Sequence, residues 1–134
     1  TWMMAEFYAE LSNQTTFTNL GQFQRDWIFG KNAWGTSFVV GAGETFIHCS
    51  HHQIANIQET ILKGAISAGV AKLDELVNSG IPDGGKQCNK TPDNFEEFSN
   101  EDGIAFADNV AAYASTEPAD DYSVIGLYIF ARSI

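Results

Sequence analysis

The sequence predicts an all-α fold in a single domain spanning residues 1–134, and three observations carry that prediction. Apolar residues recur at helical spacing from Trp2 to Leu11 and again from Phe17 to Phe29. Glycine and proline cluster between the apolar stretches, most densely from Ser79 to Gly103, where they stop helix and strand alike. Near the C-terminus, Pro118 precedes the apolar run Val124–Ala131, and a proline in a first turn favours helix over strand.

The first helix is expected from Met3, Met4, Phe7, Tyr8 and Leu11, followed by a polar break from Ser12 to Thr16. Leu20, Phe23, Trp27 and Phe29 form the stripe of the second, read as core, with Gly30 as its stop. From Gly30 to Gln53 four glycines punctuate the chain, and Ser37-Phe38-Val39-Val40 is too short for a helix with such flanks. This is a long irregular loop, too apolar for disorder, and loops of that length are usually functional. Ile54 to Ser79 is helical in composition, divided or bent by Gly64 and Gly69. A surface excursion follows to Gly103, whose acids Glu96, Glu97, Glu101 and Asp102 read as a solvated face without calcium-loop spacing.

Composition narrows the function. The chain is 44% hydrophobic and 13% aromatic, enough for a core. A net charge of −10 argues against nucleic acid or an anionic membrane as partner, whereas a neutral polymer is tolerated. No apolar run approaches the roughly 20 residues that span a bilayer. The chain opens Thr1-Trp2-Met3-Met4 without a signal-peptide pattern, the expectation for a processed chain or a fragment. Two cysteines, Cys49 and Cys88, and two sequons, at Asn13 and Asn89, favour an oxidising, secreted setting with N-glycans. A Cys49–Cys88 disulfide and two free thiols both remain open. Asn89, in the excursion, is the better placed sequon.

Two stretches carry chemistry. All three histidines lie in His48-Cys49-Ser50-His51-His52. Zinc, a hydrogen-bonded polar ligand and plain loop polarity are three readings of it, and the spacing fits no structural zinc pattern. No cofactor is expected. The stretch Phe106–Tyr122 holds Asp108, Glu117, Asp120 and Asp121 among three aromatics. Glu117 is expected at a loop-to-helix corner, with Asp120 and Asp121 coming round near the same face. Acids there complement a helix dipole, which is the plain explanation. A carboxyl pair such as Asp108 and Glu117 also fits glycoside hydrolysis, which needs one acid at the leaving oxygen and a second carboxylate to activate water or attack.

Together the two stretches resemble the C-terminal signatures of the family 9 glycoside hydrolases, a cellulase family. The last signature runs aromatic-x-Asp-x4-aromatic-x3-Glu-x-small-x3-Asn-small, and Phe106, Asp108, Tyr113, Glu117 and Ala119 fall on it. Ser123 stands for its Asn and Val124 for its last small residue. The other signature runs from a Ser through a Gly-rich turn to a His-x-Arg; Ser37, Val39, Val40, Gly43 and His51 occupy it, preceded by Gly30-Lys31-Asn32. Thr45, Ser50 and Gln53 depart from it, and Gln53 replaces the Arg, losing the charge and the guanidinium fork. The matches cover roughly residues 27–131.

The resemblance implies the C-terminal portion of an (α/α)6 barrel with a long irregular loop. It implies Glu117 as general acid, Asp108 as an active-site carboxylate, and His51 with Gln53 as sugar ligands, Asp121 and Tyr122 being the polar-aromatic pair that follows. The family's water-activating aspartates lie in an N-terminal Asp-x-x-Asp motif that this sequence lacks. The chain is then half of an active site, completed by the remainder of the same polypeptide and inactive alone. The expected function is part of a secreted inverting β-1,4-glucanase acting on glucan chains or oligosaccharides. Gln53 and the missing aspartates motivate a rival: a non-catalytic carbohydrate-binding or structural protein retaining the end of the barrel.

Overall fold

The computed structural model describes residues 1–77, 80–91 and 103–132. In chain order the elements are α1 (Trp2–Ser12), α2 (Thr18–Ile28), α3 (Gln53–Ile57), β1 (Ala71–Lys72), α4 (Leu73–Val77), β2 (Ile104–Ala105), α5 (Tyr113–Thr116) and α6 (Asp120–Arg132). The described part is thus mainly helical, with one short antiparallel ladder pairing Ala71 with Ala105 and Lys72 with Ile104.

Both N-terminal helices form where the apolar spacing places them. Asn13 ends α1 at φ 54°, a left-handed conformation that asparagine tolerates. Gly30 follows α2 at φ 105°, where a side chain would be strained. The two helices meet at Gly21, whose missing side chain leaves room for Ala5 and Trp2. Helix α6 returns against α1, packing Phe130 at a tilt against Trp2 with 5.5 Å between centroids and pairing Arg132 with Glu10 at 2.6 Å.

The irregular segment after α2 is the centre of the molecule. Thr36 to Val40 is buried throughout, and Phe38, Val40, Ile47 and Phe106 make the main core with Trp27 and Trp34 packed on it. Backbone groups buried without a ladder need other partners. Asn32 supplies four, donating to the carbonyls of Trp27 and Thr36 and accepting from the N–H of Trp34 and Thr36. Phe38 N–H donates to Ile28, and Val40 exchanges bonds with Gly64 and Ala65.

That arrangement corrects the helical reading of Ile54 to Ser79: the division expected at Gly64 and Gly69 is there, but helix among the described residues is confined to α3 and α4 at the two ends. Helix α3 stops at Ile57, and the chain from 58 to 70 is not helical. Glu59, Gly64 and Gly69 adopt φ of 52°, 87° and 91°, which no α-helix accommodates. Residues 64–69 are also bonded elsewhere: Ile66 bridges Val39, Ser67 bridges Pro118, and Gly69 N–H donates to Ser115. Tertiary pairing overrides helical composition here. The acids Glu96, Glu97, Glu101 and Asp102 lie outside the described residues.

The aromatics of α2 are a second correction. Trp27 packs on the core, but Phe23 is 70% exposed, and Leu20 and Phe29 are exposed too. Leu11 on α1 and Val124 and Leu127 on α6 are open as well, Leu127 at 70%. The apolar stripes outrun the area that the described elements cover.

Candidate active site

Glu117 does not start a helix. It caps the C-terminal end of α5 in an extended conformation, φ −74° and ψ 120°, and α6 begins only at Asp120. The residue before a proline is driven out of the helical region, so Pro118 itself imposes this. The backbone around Glu117 is held on several sides. Ser115 and Thr116 are fully buried, and the Thr116 hydroxyl donates to the carbonyls of Asn109 and Ala112. The Glu117 carbonyl accepts from Ala68 N–H at 3.0 Å, and the Thr116 carbonyl from His51 N–H at 3.1 Å. The side chain is exposed, so a fixed backbone presents a free carboxyl group.

A hollow of about 370 Å³ opens beside it, lined by His51, His52, Gln53, Asp83 and Glu117. His51 Nδ1 stands 2.7 Å from the Val110 carbonyl, an oxygen that only accepts. Nδ1 therefore carries a proton, leaving Nε2 as the nitrogen available to a ligand. The Tyr113 ring meets the imidazole edge-on at 6.0 Å. His52 is oriented the other way: its Nδ1 accepts from Ala55 N–H at 3.2 Å and caps α3. Gln53 Nε2 donates to the Asp83 carbonyl at 3.2 Å.

Asp108 stands apart from this hollow. It is 4% exposed, and its carboxylate accepts the backbone N–H of Cys49 at 2.8 Å and of His48 at 3.1 Å. It lines a different recess, with Phe46, His48 and Lys90. Asp121 and Tyr122 fall in the first turn of α6, both exposed, and Tyr122 borders an apolar hollow with Trp2, Trp27 and Phe38. Ser123, in place of the signature's Asn, accepts Ile66 N–H at 3.3 Å and ties α6 to the core segment.

The histidine cluster disperses. His48 stacks on Phe46 at 4.4 Å, His51 and His52 have the partners above, and Cys49 is bonded to Cys88. Among the described residues, no group of three or more side chains could hold a metal. The disulfide joins the histidine loop to the excursion, with Cα atoms 5.5 Å apart. Sequence reasoning missed Asp83: it lies 30 residues from Gln53, in a glycine-rich turn with no spacing signal.

Comparison with known proteins decides the lineage. The description of Glycosyl hydrolase family 9 matches residues 1–129. The chain belongs to this family. Its fold is that of part of solved family members. One is the cellulase Cel9M of C. cellulolyticium in complex with cellobiose, at TM-score 0.64 and 20% identity over 97% of this chain and 26% of that one. Another is the GH family 9 endoglucanase J30, at TM-score 0.71 and 22% identity over 98% of this chain and 22% of that one. A Zn-binding triple mutant of J30 gives the same values. This chain therefore spans about a quarter of the length of the family 9 structures it matches. No curated protein matches it in sequence.

Proposed function

We propose that the chain is the C-terminal segment of an (α/α)6 barrel in a secreted, inverting glycoside hydrolase that cleaves β-1,4-glucan. The observation that carries this reading is the Glu117 hollow: in a family 9 chain, the signature glutamate shares one concavity with His51 and Gln53.

Glu117 is the general acid, giving its proton to the leaving glycosidic oxygen. His51, anchored through Nδ1, turns Nε2 to a sugar hydroxyl, and Gln53 offers its amide oxygen while its N–H holds the Asp83 turn. Asp121 and Tyr122 extend the sugar-binding surface at the head of α6. Asp108 acts as a positioning residue: by gripping the N–H groups of His48 and Cys49 it fixes the loop that carries His51. The base that activates water comes from the rest of the polypeptide, in an inverting pair roughly 6.5–9.5 Å apart. The exposed apolar faces of α1, α2 and α6 pack against the barrel's other helices.

Secretion agrees with the disulfide and with the two sequons, Asn13 being exposed at the end of α1 and Asn89 beside Cys88. No described helix is long and apolar enough to cross a membrane.

The test is Glu117→Gln in the complete protein, assayed on cellulosic substrate. Loss of hydrolysis is expected, and near-normal turnover would overturn the acid assignment. Affinity for soluble glucan in the wild-type protein, with no reducing sugar released, would instead favour the non-catalytic binding reading, for which the replacement of the family's Arg by Gln53 is the motive.

A further inference from the structure

The described part of the excursion, residues 80–91, borders the candidate hollow and is tied down at several points. Asn56, 8% exposed, uses both ends of its amide on Lys86, accepting from the N–H at 2.6 Å and donating to the carbonyl at 2.9 Å. Cys88 is covalently joined to Cys49, and its carbonyl accepts Val110 N–H at 3.0 Å. Lys90 N–H donates to the Asp108 carbonyl at 2.6 Å, and Asn89 bridges Asn109. Asp83 sits at the turn of this excursion, its backbone carbonyl held by Gln53, and the residue is exposed and lines the hollow. A held backbone at an exposed residue makes Asp83 a wall of the cleft.

No lysine or arginine lines the hollow among the described residues; beside Asp83 stand His51, His52 and Glu117, the last holding the proton it transfers and so adding no charge of its own. Position 53 carries a neutral amide. A carboxylate accepts hydrogen bonds from paired sugar hydroxyls, and it repels an anionic group within a few ångströms with little counter-charge to offset it.

We propose that Asp83 is a specificity-determining residue that selects neutral glucan chains and turns away glycans bearing carboxylates. The proposal rests on reading the Glu117 hollow as the sugar site. Asp83 takes hydroxyls of the sugar that spans the wall, and it disfavours uronic acid units or C6-oxidised glucose at the same place.

The experiment uses the complete protein and its Asp83→Asn and Asp83→Lys variants, with neutral cello-oligosaccharides and the same oligosaccharides oxidised to carboxylates at C6. Affinity is read by calorimetry and kcat/KM by product release, at low and at high salt. In Asp83→Asn the preference for the neutral ligand falls about fivefold at low salt, mostly through binding and KM, and the change shrinks toward nothing near 1 M salt. Asp83→Lys lowers the preference further. Cleavage of neutral glucan with an unchanged preference in both variants would overturn the role of Asp83 and leave the hydrolase reading intact. Charge-selective binding that depends on Asp83, without bond cleavage, would overturn the hydrolase reading and leave Asp83's role. Absence of glycan binding would overturn both.

Discussion

Asp108 and Glu117 belong to one signature, nine positions apart, yet the fold puts them in opposite surroundings. Asp108, at the edge of its own recess, is buried, and its carboxylate oxygens take two backbone N–H groups of the histidine loop. Around Glu117 the backbone is as firmly held, but the side chain is exposed on a hollow. The same side-chain chemistry therefore builds a frame at one position and leaves an exposed carboxyl group on a hollow at the other. What separates them is where their hydrogen-bonding capacity goes, into the protein or toward a ligand.

The largest effect should come from Glu117, and it should fall on activity alone. Glu117→Gln in the complete protein is expected to lower kcat by about 10²- to 10⁴-fold, the usual worth of a general acid. Its unfolding free energy, from chemical denaturation, should stay within about 0.5 kcal/mol of wild type, as for an exposed side chain away from the core. A large stability loss would break the contrast.

The frame should respond in the reverse sense. Replacing Cys49 and Cys88 by serine frees a closed loop with a sequence separation of 39, costing about 3–4 kcal/mol by the chain-entropy account. Asp108→Ala leaves the N–H groups of His48 and Cys49 without their acceptor, and about 3 kcal/mol of stability should go with it, measured by chemical denaturation. If Asp108→Ala removed turnover at unchanged stability, Asp108 would belong with Glu117 and the contrast would fail. Asn56→Ala is milder, about 2 kcal/mol for two bonds to Lys86, and KM for glucan should rise as the Asp83 wall loosens.

Asp26, whose charged partners are Lys31 and Arg25, provides the smallest effect and a control. Lys31 first, then Arg25, hydrogen-bond its carboxylate and hold it below the usual carboxylate range. A depressed folded-state value stabilises the fold fully above the unfolded value of about 3.9, and the contribution is lost as pH falls through the folded value. Asp26→Asn should therefore flatten the acid limb of stability below about pH 4, more visibly at low salt, and leave neutral-pH activity untouched.

Helices α1, α2 and α6 were legible because local periodicity and stop signals specify them without help from distant residues. The stretch from 58 to 70 was not. Its apolar residues suit a helix, but their carbonyls and N–H groups are taken by Val40, Phe38 and Ser115, partners that no local pattern reveals. The exposure of Phe23 and Leu127 was equally hidden, because a stripe shows that a face is apolar and not whether anything covers it.

For the site, the sequence by itself determined which residue types stand at which spacing: Glu117 four residues after Tyr113, and His51 at the end of a glycine-rich segment. Only the tertiary structure decided that Asp108 faces inward, that Cys49 and Cys88 are joined, and that Asp83 lines the hollow. Spacing constrains neighbours along one element, whereas the direction of a side chain and the company of a distant loop are set by packing and by backbone hydrogen bonds that must all be satisfied at once.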